Sequence, residues 1–332
     1  FRQSAHAGSP SAAGAGLEDL LPLGDPHEWL AEHKWDGIRG QLIVRGGQHY
    51  VWSRGEELVT DKYPELAVLS KALPGGTVLD GELLAWKDHA PLPFAELQKR
   101  IGRKSVGKKL LADVPVIFMA YDLMEHAGED IRQRPLSERR TLLEGIVSAA
   151  GHPVLTLSPT LPFASWEEIV AHREHARTAS IEGLMLKRLS STYEVGRRRG
   201  DWWKWKVDPL SIDAVLTFSM QGHGRRADLY TDHTFGLWHE GQLVTFAKAY
   251  SGLTDAEMLE VDAFVKKNTL ERFGPVRQVK AELVFEVAFE GISASTRHKS
   301  GVAVRFPRIA RWRRDKKADE ANTLDDLKAM IR

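Results

Sequence analysis

The chain has 332 residues, 42% of them hydrophobic and 27% charged, with a formal net charge of +1 and no cysteine. That length exceeds what a single core usually fills, so a large domain plus a smaller one is expected. The composition excludes a disulfide-stapled scaffold and a thiolate metal site, no apolar run approaches the roughly 18 residues of a membrane span, and nothing resembles a signal peptide; a cytosolic protein is expected.

Residues 1–16, with the small-residue run "SAHAGSPSAAGAG", cannot bury enough apolar surface to order themselves and read as a tail or linker. From residue 17 to 208, β-patterned and helical runs alternate. "GQLIVRGGQHYVWS" predicts a hairpin around Gly46-Gly47, while "GTVLDGELLAW" and "VPVIFMAYDLM" predict half-buried and buried strands. Helices are expected from Ser137 in "PLSERRTLLEGIVSAA" and from a capping box, Ser165 to Glu168, in "SWEEIVAHREHARTA". "IEGLMLKRL" is a further strand, and the whole predicts an α+β domain of antiparallel sheets with helices packed outside. A proline interrupts the pattern in "KVDPLSIDA". Residues 209–332 then read as short strands, "DAVLTFSM", "ADLYTD", "HTFGLWHE", "QLVTFAKAY" and "ELVFEVAFEGI", with one helix from a capping box at Thr254 and Glu257; this predicts a small β-barrel such as an OB-fold.

The chemistry centres on "AEHKWDGIRGQ", residues 31–41. Lys34 followed by Asp36-Gly37 reads either as a hairpin turn with a solvated lysine or as a nucleophile. At an ordinary pKa only about a thousandth of a lysine is the free amine near neutrality, a cost of roughly 4 kcal/mol that neighbouring cations reduce. Arg39, Lys187, Lys204 and Lys206 supply such cations, and the same charges could bind phosphates. In "LDGELLAW", Asp80 and Glu82 share one strand face, and Glu182 stands at the entry of the strand that carries Lys187. Carboxylates facing a cleft with lysines are what magnesium-assisted phosphate chemistry requires.

Two basic stretches point toward a polyanion partner. "YEVGRRRGDWWKWK" interleaves five cations with Trp202, Trp203 and Trp205, which either stack on bases or pack a core, and residues 297–317 hold nine Lys or Arg against one Asp, a polyanion surface or a solvated charged face. Two other patterns are set aside. "GRKSVGKK" (102–109) has Lys109 where a phosphate-binding loop needs Ser or Thr and follows a helical run; His172 and His175 have no further ligand pattern and read as an exposed helix face.

Taken in order, "KWDGIR", "SRGEE", "LDGELLAW", "AYDLM", "EGLMLK", "WWKWK" and "RFPRIARWRRDK" resemble the motifs of the ATP-dependent DNA ligases, bacterial type, within the covalent nucleotidyltransferase superfamily. The resemblance implies a nucleotidyltransferase (adenylation) domain at 17–208 and a C-terminal OB-fold domain at 209–332. It implies ATP as substrate, Mg2+ or Mn2+ as metal, and a monomer acting on nicked duplex DNA. Lys34 resembles the residue that becomes lysyl-AMP and Glu32 the acid that contacts adenine. Arg39 and Glu82 resemble ribose or metal-site residues, Arg54 a contact to nucleotide or nick phosphate, and Tyr121 the ring stacked on adenine. Glu182 resembles the metal-binding acid; Lys187, Arg198, Lys204 and Lys206 resemble phosphate-binding cations. Arg313, Asp315 and Lys316 resemble the set that orients the leaving pyrophosphate.

Larger members of that family carry an N-terminal helical DNA-binding domain before the catalytic core, for which these 332 residues leave no room; unless the gene is longer, the core and OB domain are expected to hold DNA, aided by "QKRIGRKSVGKK". An RNA ligase, a capping enzyme using GTP, and a non-catalytic nucleic-acid-binding OB protein are the competing expectations; Glu32 and the run "FEVAFEGISASTRHKSGVAVRFPRI" favour the DNA ligase.

Overall fold

The computed structural model describes residues 16–103, 105–176, 181–196, 200–224 and 227–331. The chain divides into two compact units, one ending at Val207 and the other beginning at Asp208.

The first unit holds two sheets. In the larger, the strands Gln48–Ser53, Ile38–Arg45, Thr77–Lys87, Val116–His126 and Glu129–Asp130 follow one another, with Ala90–Pro91 added to Thr77–Lys87. The hairpin at Gly46-Gly47 closes with Arg45 opposite Gln48. The expected antiparallel pairing has one exception, since Leu155–Leu157 runs parallel to Val116–His126 with Phe118 opposite Leu155. Alternation sorts the side chains. Leu42, Leu79, Leu83, Phe118 and Ala120 point to one face and, with Leu143 and Ile146 of the helix Leu136–Ala150 and Leu97 of the helix Phe94–Ile101, form the main core. That leaves Arg39, Asp80, Glu82 and Tyr121 on the opposite face.

The smaller sheet has the order Trp202–Lys206, Gly183–Arg188, Trp29–His33 and Thr160–Leu161. Its back face, Trp29, Ala31, Leu184, Leu186 and Trp205, packs on Trp166 and Ile169 of the helix Trp166–Ala176. By period two, Glu32, Met185, Lys187, Trp202 and Lys204 share its front face, where Glu32 is registered opposite Met185 and Met185 opposite Lys204. Ile43, Val78 and Met124 of the large sheet meet Tyr193, Trp202 and Met185 in one apolar cluster, so the polar faces of the two sheets confront each other across a cleft.

The helix starts differ slightly from expectation. Leu136–Ala150 begins one residue before Ser137, with Pro135 in the N-cap position, and Glu168 of the helix Trp166–Ala176 accepts from the backbone N–H of Ala164. The basic run 98–109 is also less available than its composition suggests. Arg100 is fully buried on Glu65 and the carbonyl of Val114, and Lys99 pairs with Glu96; Lys104 lies outside the described residues. The helix Phe94–Ile101, not a strand, leads into "GRKSVGKK", and His172 and His175 bond the carbonyls of Pro162 and Ala171 at the exposed helix surface.

The second unit is an OB-fold built around one long strand, Leu210–Gln221. It pairs with Tyr230–His239 on one edge; on the other it pairs first with Val284–Phe289 and then with Val276–Val279. The runs "ADLYTD" and "HTFGLWHE" form one strand rather than two, and Gln242–Ala249 continues the sheet. The capping box of Thr254 and Glu257 opens the helix Asp255–Lys267 as expected. The hairpin of Thr269–Phe273 with Val276–Val279 was not legible, because its outward residues break the alternation. Of the basic run 297–317, Arg308, Arg311, Arg313, Arg314 and Lys316 are ion-paired to carboxylates of the same unit, so that run is in large part a neutralised barrel surface. Among the described residues no helix is long and apolar enough to cross a membrane.

Candidate active site

Lys34 follows the strand Trp29–His33 at the mouth of the cleft. Its turn is anchored by two backbone bonds to the entry of the neighbouring strand: Lys34 N–H to the carbonyl of Gly183 (2.8 Å) and Glu182 N–H to the carbonyl of Lys34 (2.9 Å). Glycine is required twice here. A Cβ on Gly37 would stand 2.4 Å from the carbonyl oxygen of Leu83 and 2.8 Å from Cγ of Glu82, so only glycine lets the turn run against the carboxylate-bearing strand. Gly183 adopts φ +136°, and a Cβ there would meet the carbonyl of Trp205 at 2.3 Å. The result brings the Lys34 ammonium onto the Glu182 carboxylate in a partly buried ion pair, with Lys206 Nζ 3.9 Å from the same oxygen.

Around this pair the cations are crowded. Lys204 has its pKa lowered to about 8, first by burial and then by the fields of Lys34, Arg54, Lys206 and Arg39. Arg54 lies in the exposed turn after Gln48–Ser53. Arg198 lies outside the described residues.

Across the cleft, Arg39 and Glu82 are directly opposite on adjacent strands. Burial pushes the Glu82 carboxyl up to about 8, against the attraction of Lys34 and Arg39 and with the repulsion of Asp80 and Glu182. Arg39 forks onto Asp80, 2.6 and 3.1 Å, and Tyr193 Oη donates to the same carboxylate at 2.7 Å. Burial opposes the Arg39 charge, but Asp80 outweighs it and raises the pKa. Tyr121 Oη lies 3.4 Å from Asp80, its acidity suppressed by burial and then by Asp80 and Glu82.

Glu32 sits deeper, on the front face of the small sheet, and is buried. Arg140 Nη1 holds one carboxylate oxygen and Lys187 Nζ the other, each at 2.6 Å. Lys187, expected among the phosphate-binding cations, is instead fully buried, with its ammonium 4.6 Å from the ring centroids of Tyr121 and Trp202. Two of the three tryptophans of "WWKWK" resolve to packing, Trp205 in the core behind the small sheet and Trp202 edge-on to Tyr193, while Trp203 is partly exposed and donates to the carbonyl of Gly200.

No group of three or more carboxylate, histidine or cysteine side chains among the described residues forms a preformed metal cage. The donor set is that of a cation completed by substrate: two carboxylates, Glu82 and Glu182, each within the field of Lys34, one of them neutral near pH 7 until a positive charge arrives. Magnesium characteristically takes one or two carboxylates and fills its remaining positions with phosphate oxygens and water, so the residues fit it.

Arg313, Asp315 and Lys316 follow the strand Arg308–Trp312 of the OB unit. Arg313 forks onto Asp315 and donates to Asp213, and Lys316 shares that Asp213 oxygen, both at 2.6 Å. Asp315 is held down at about 2 by its bonds from Arg313. Tyr193, Arg140 and Asp213 are site neighbours that sequence reading missed. Arg140 looks like any charged residue on an amphipathic helix, and nothing local signals that its helix face is buried.

A lysine presented between two mixed-charge sheet faces, followed by an OB-fold, defines the covalent nucleotidyltransferase architecture. Residues 15–206 match the ATP dependent DNA ligase domain, and residues 226–316 match the ATP dependent DNA ligase C-terminal region; the chain belongs to the ATP-dependent DNA ligase family. A probable DNA ligase of Koribacter versatilis is 39% identical over 91% of this chain, and one of Opitutus terrae is 42% identical over 89%. The chain spans 56% and 32% of the length of those two relatives. Among solved structures, the ligase domain of LigD from M. tuberculosis is 25% identical with a TM-score of 0.52, covering 96% of this chain and 97% of that domain. A Lig E DNA ligase shares the fold at a TM-score of 0.61, covering 87% of this chain and 94% of that one, at 18% identity.

Proposed function

We propose that this chain is the catalytic portion of an ATP-dependent DNA ligase that seals 5′-phosphate, 3′-hydroxyl nicks in duplex DNA. Supporting this best is the Lys34–Glu182 pair, set between a carboxylate face and a crowd of cations. Attack needs the free amine, and the Glu182 carboxylate is the acceptor in contact with the ammonium proton. Lys34 Nζ then bonds to the α-phosphorus of ATP as the bond to pyrophosphate breaks, giving lysyl-AMP. Lys204 and Lys206 hold phosphate oxygens whose charge grows in that step, Arg54 contacts nucleotide or nick phosphate, and Arg198 belongs with them on the family pattern.

Arg39, fixed on Asp80, takes the ribose; Glu32 takes the adenine edge and Tyr121 its face. Lys187 acts through Glu32 rather than on phosphate, as its burial supports. Glu82 and Glu182 would hold magnesium, or manganese with the same oxygen ligands, and that ion supplies charge neutralisation at the α-phosphate. From the OB unit, Arg313, Asp315 and Lys316 orient the pyrophosphate. In the second step a 5′-phosphate oxygen at the nick takes the adenylyl group and frees Lys34; in the third the 3′-hydroxyl oxygen displaces AMP. A cytosolic monomer fits a cysteine-free chain of this kind.

Incubation with α-labelled ATP and magnesium should label the protein, and Lys34→Ala should abolish that label while still closing a nick supplied already adenylylated. Label surviving in Lys34→Ala overturns the reading. Comparing nicked DNA with nicked RNA separates it from an RNA ligase.

A further inference from the structure

Arg140 lies on the helix Leu136–Ala150, outside every motif of the family pattern, and is buried. Its guanidinium spans three acceptors: Nη1 to Glu32 Oε1 (2.6 Å), Nη2 to the carbonyl oxygen of Ser158 (2.6 Å) and Nε to Glu144 Oε1 (3.0 Å). The second oxygen of Glu32 is held from the strand Gly183–Arg188 by Lys187. One ammonium contact alone leaves the Glu32 carboxylate free to rotate about its last bond, because an ammonium is a point charge. A planar guanidinium already pinned to a backbone carbonyl adds a second fixed point, and two points define the carboxylate plane. The clamp also reaches the nucleophile's turn, since Ser158 Oγ accepts from Nε1 of Trp35, the residue after Lys34.

We propose that Arg140 is a specificity-positioning residue: by fixing the plane of the Glu32 carboxylate it sets the direction in which the free lone pairs accept, and so selects ATP over GTP. The inference rests on the reading in which Glu32 meets the base. A carboxylate accepts and does not donate; at position 6 adenine offers it an amino group and guanine a carbonyl oxygen, which it repels, while guanine's own donors, N1–H and the 2-amino group, lie further along its edge. That discrimination depends on aim, because a carboxylate free to turn can relax away from the wrong base.

The test measures lysyl-nucleotide formation with α-labelled ATP and, separately, α-labelled GTP, for the parent, Arg140→Met, Arg140→Lys, Glu32→Ala and the Glu32→Ala/Arg140→Met double variant. Arg140→Met is expected to lower the ATP-to-GTP ratio of labelling efficiencies at least about tenfold, the worth of a hydrogen bond to a charged group. Arg140→Lys, which keeps the charge and loses the fork, lowers it less, and the double variant shows the ratio of Glu32→Ala alone. A purely structural Arg140 would depress the melting temperature and both labelling reactions together; an unmoved ratio therefore overturns the proposal, as does a double variant whose losses add. If Arg140→Met does not fold, Arg140→Lys decides, and a parental ratio there overturns it. A parent that takes no label from ATP removes the ligase reading and this inference together, whereas a labelled parent with an unmoved ratio removes only the role of Arg140.

Discussion

Lys34 and Glu182 are tied to each other twice, by a backbone bond from Glu182 N–H to the Lys34 carbonyl (2.9 Å) and by the ion pair of their side chains. The backbone tie does not depend on the Glu182 carboxylate. Glu182→Gln is therefore expected to fold normally and to slow formation of the lysyl-AMP adduct by about a hundredfold or more, because it removes both the proton acceptor on Lys34 and one of the two carboxylates that would hold magnesium. Single-turnover labelling beside thermal melting checks this; adduct formation at the parental rate with Gln at 182 would falsify the assignment.

The depressed pKa of Lys204, about 8, gives the phosphate site its own pH dependence. Below that value the side chain is a cation and binds phosphate; as pH rises through it, the charge is lost. KM for ATP should accordingly rise above about pH 8, and Lys204→Met should raise KM at neutral pH and flatten the profile. A pH series of initial labelling rates decides it, and an identical inflection in Lys204→Met sinks the attribution.

Arg139 and Asp122 form a fully buried pair behind the site, with Arg139 also donating to the carbonyls of Arg134 and Ser191. Removing the cation alone strands a carboxylate in the interior. Arg139→Met should cost roughly 3–5 kcal/mol, and adding Asp122→Asn should restore part of that. Urea titrations of the single and double variants measure both; an additive loss would show that the two charges are not coupled.

In the OB unit, His233 is buried with Nδ1 against Ser219 Oγ and Nε2 without a hydrogen-bond partner among the described residues, and burial lowers its pKa to about 4. A group whose folded pKa is depressed in this way is bound to more protons when unfolded. Above about pH 6.5 the ring is neutral both folded and unfolded and adds no pH dependence, and stability falls as pH drops from there toward 4, by about 3 kcal/mol in all. His233→Leu should flatten that part of the acid limb of the OB transition, as followed by thermal melting between pH 4 and 7.

Much of the architecture was legible because it rests on local periodicity. Alternation in "LDGELLAW" and "EGLMLK" placed Asp80 with Glu82 and set Glu182 at a strand entry, and glycine with aspartate after Lys34 marked the turn. Family motifs carried the rest of the candidate set. What no periodicity could reveal is which charges neutralise one another, since that depends on contacts between distant elements. Lys187 reaches Glu32 across 155 positions and Arg140 reaches it across 108. Read alone, Lys187 is one more cation for phosphate, and Arg140 one more solvated helix residue; burial turns both into the setting of Glu32. The same holds in the barrel, where Asp213 gathers Arg313 and Lys316 from about a hundred residues away. Which residues could do the chemistry was thus written in the chain by itself. The tertiary structure decided which of those charges are left exposed in the cleft and which are spent on one another, because desolvation, unlike spacing, exists only once the sheets have closed.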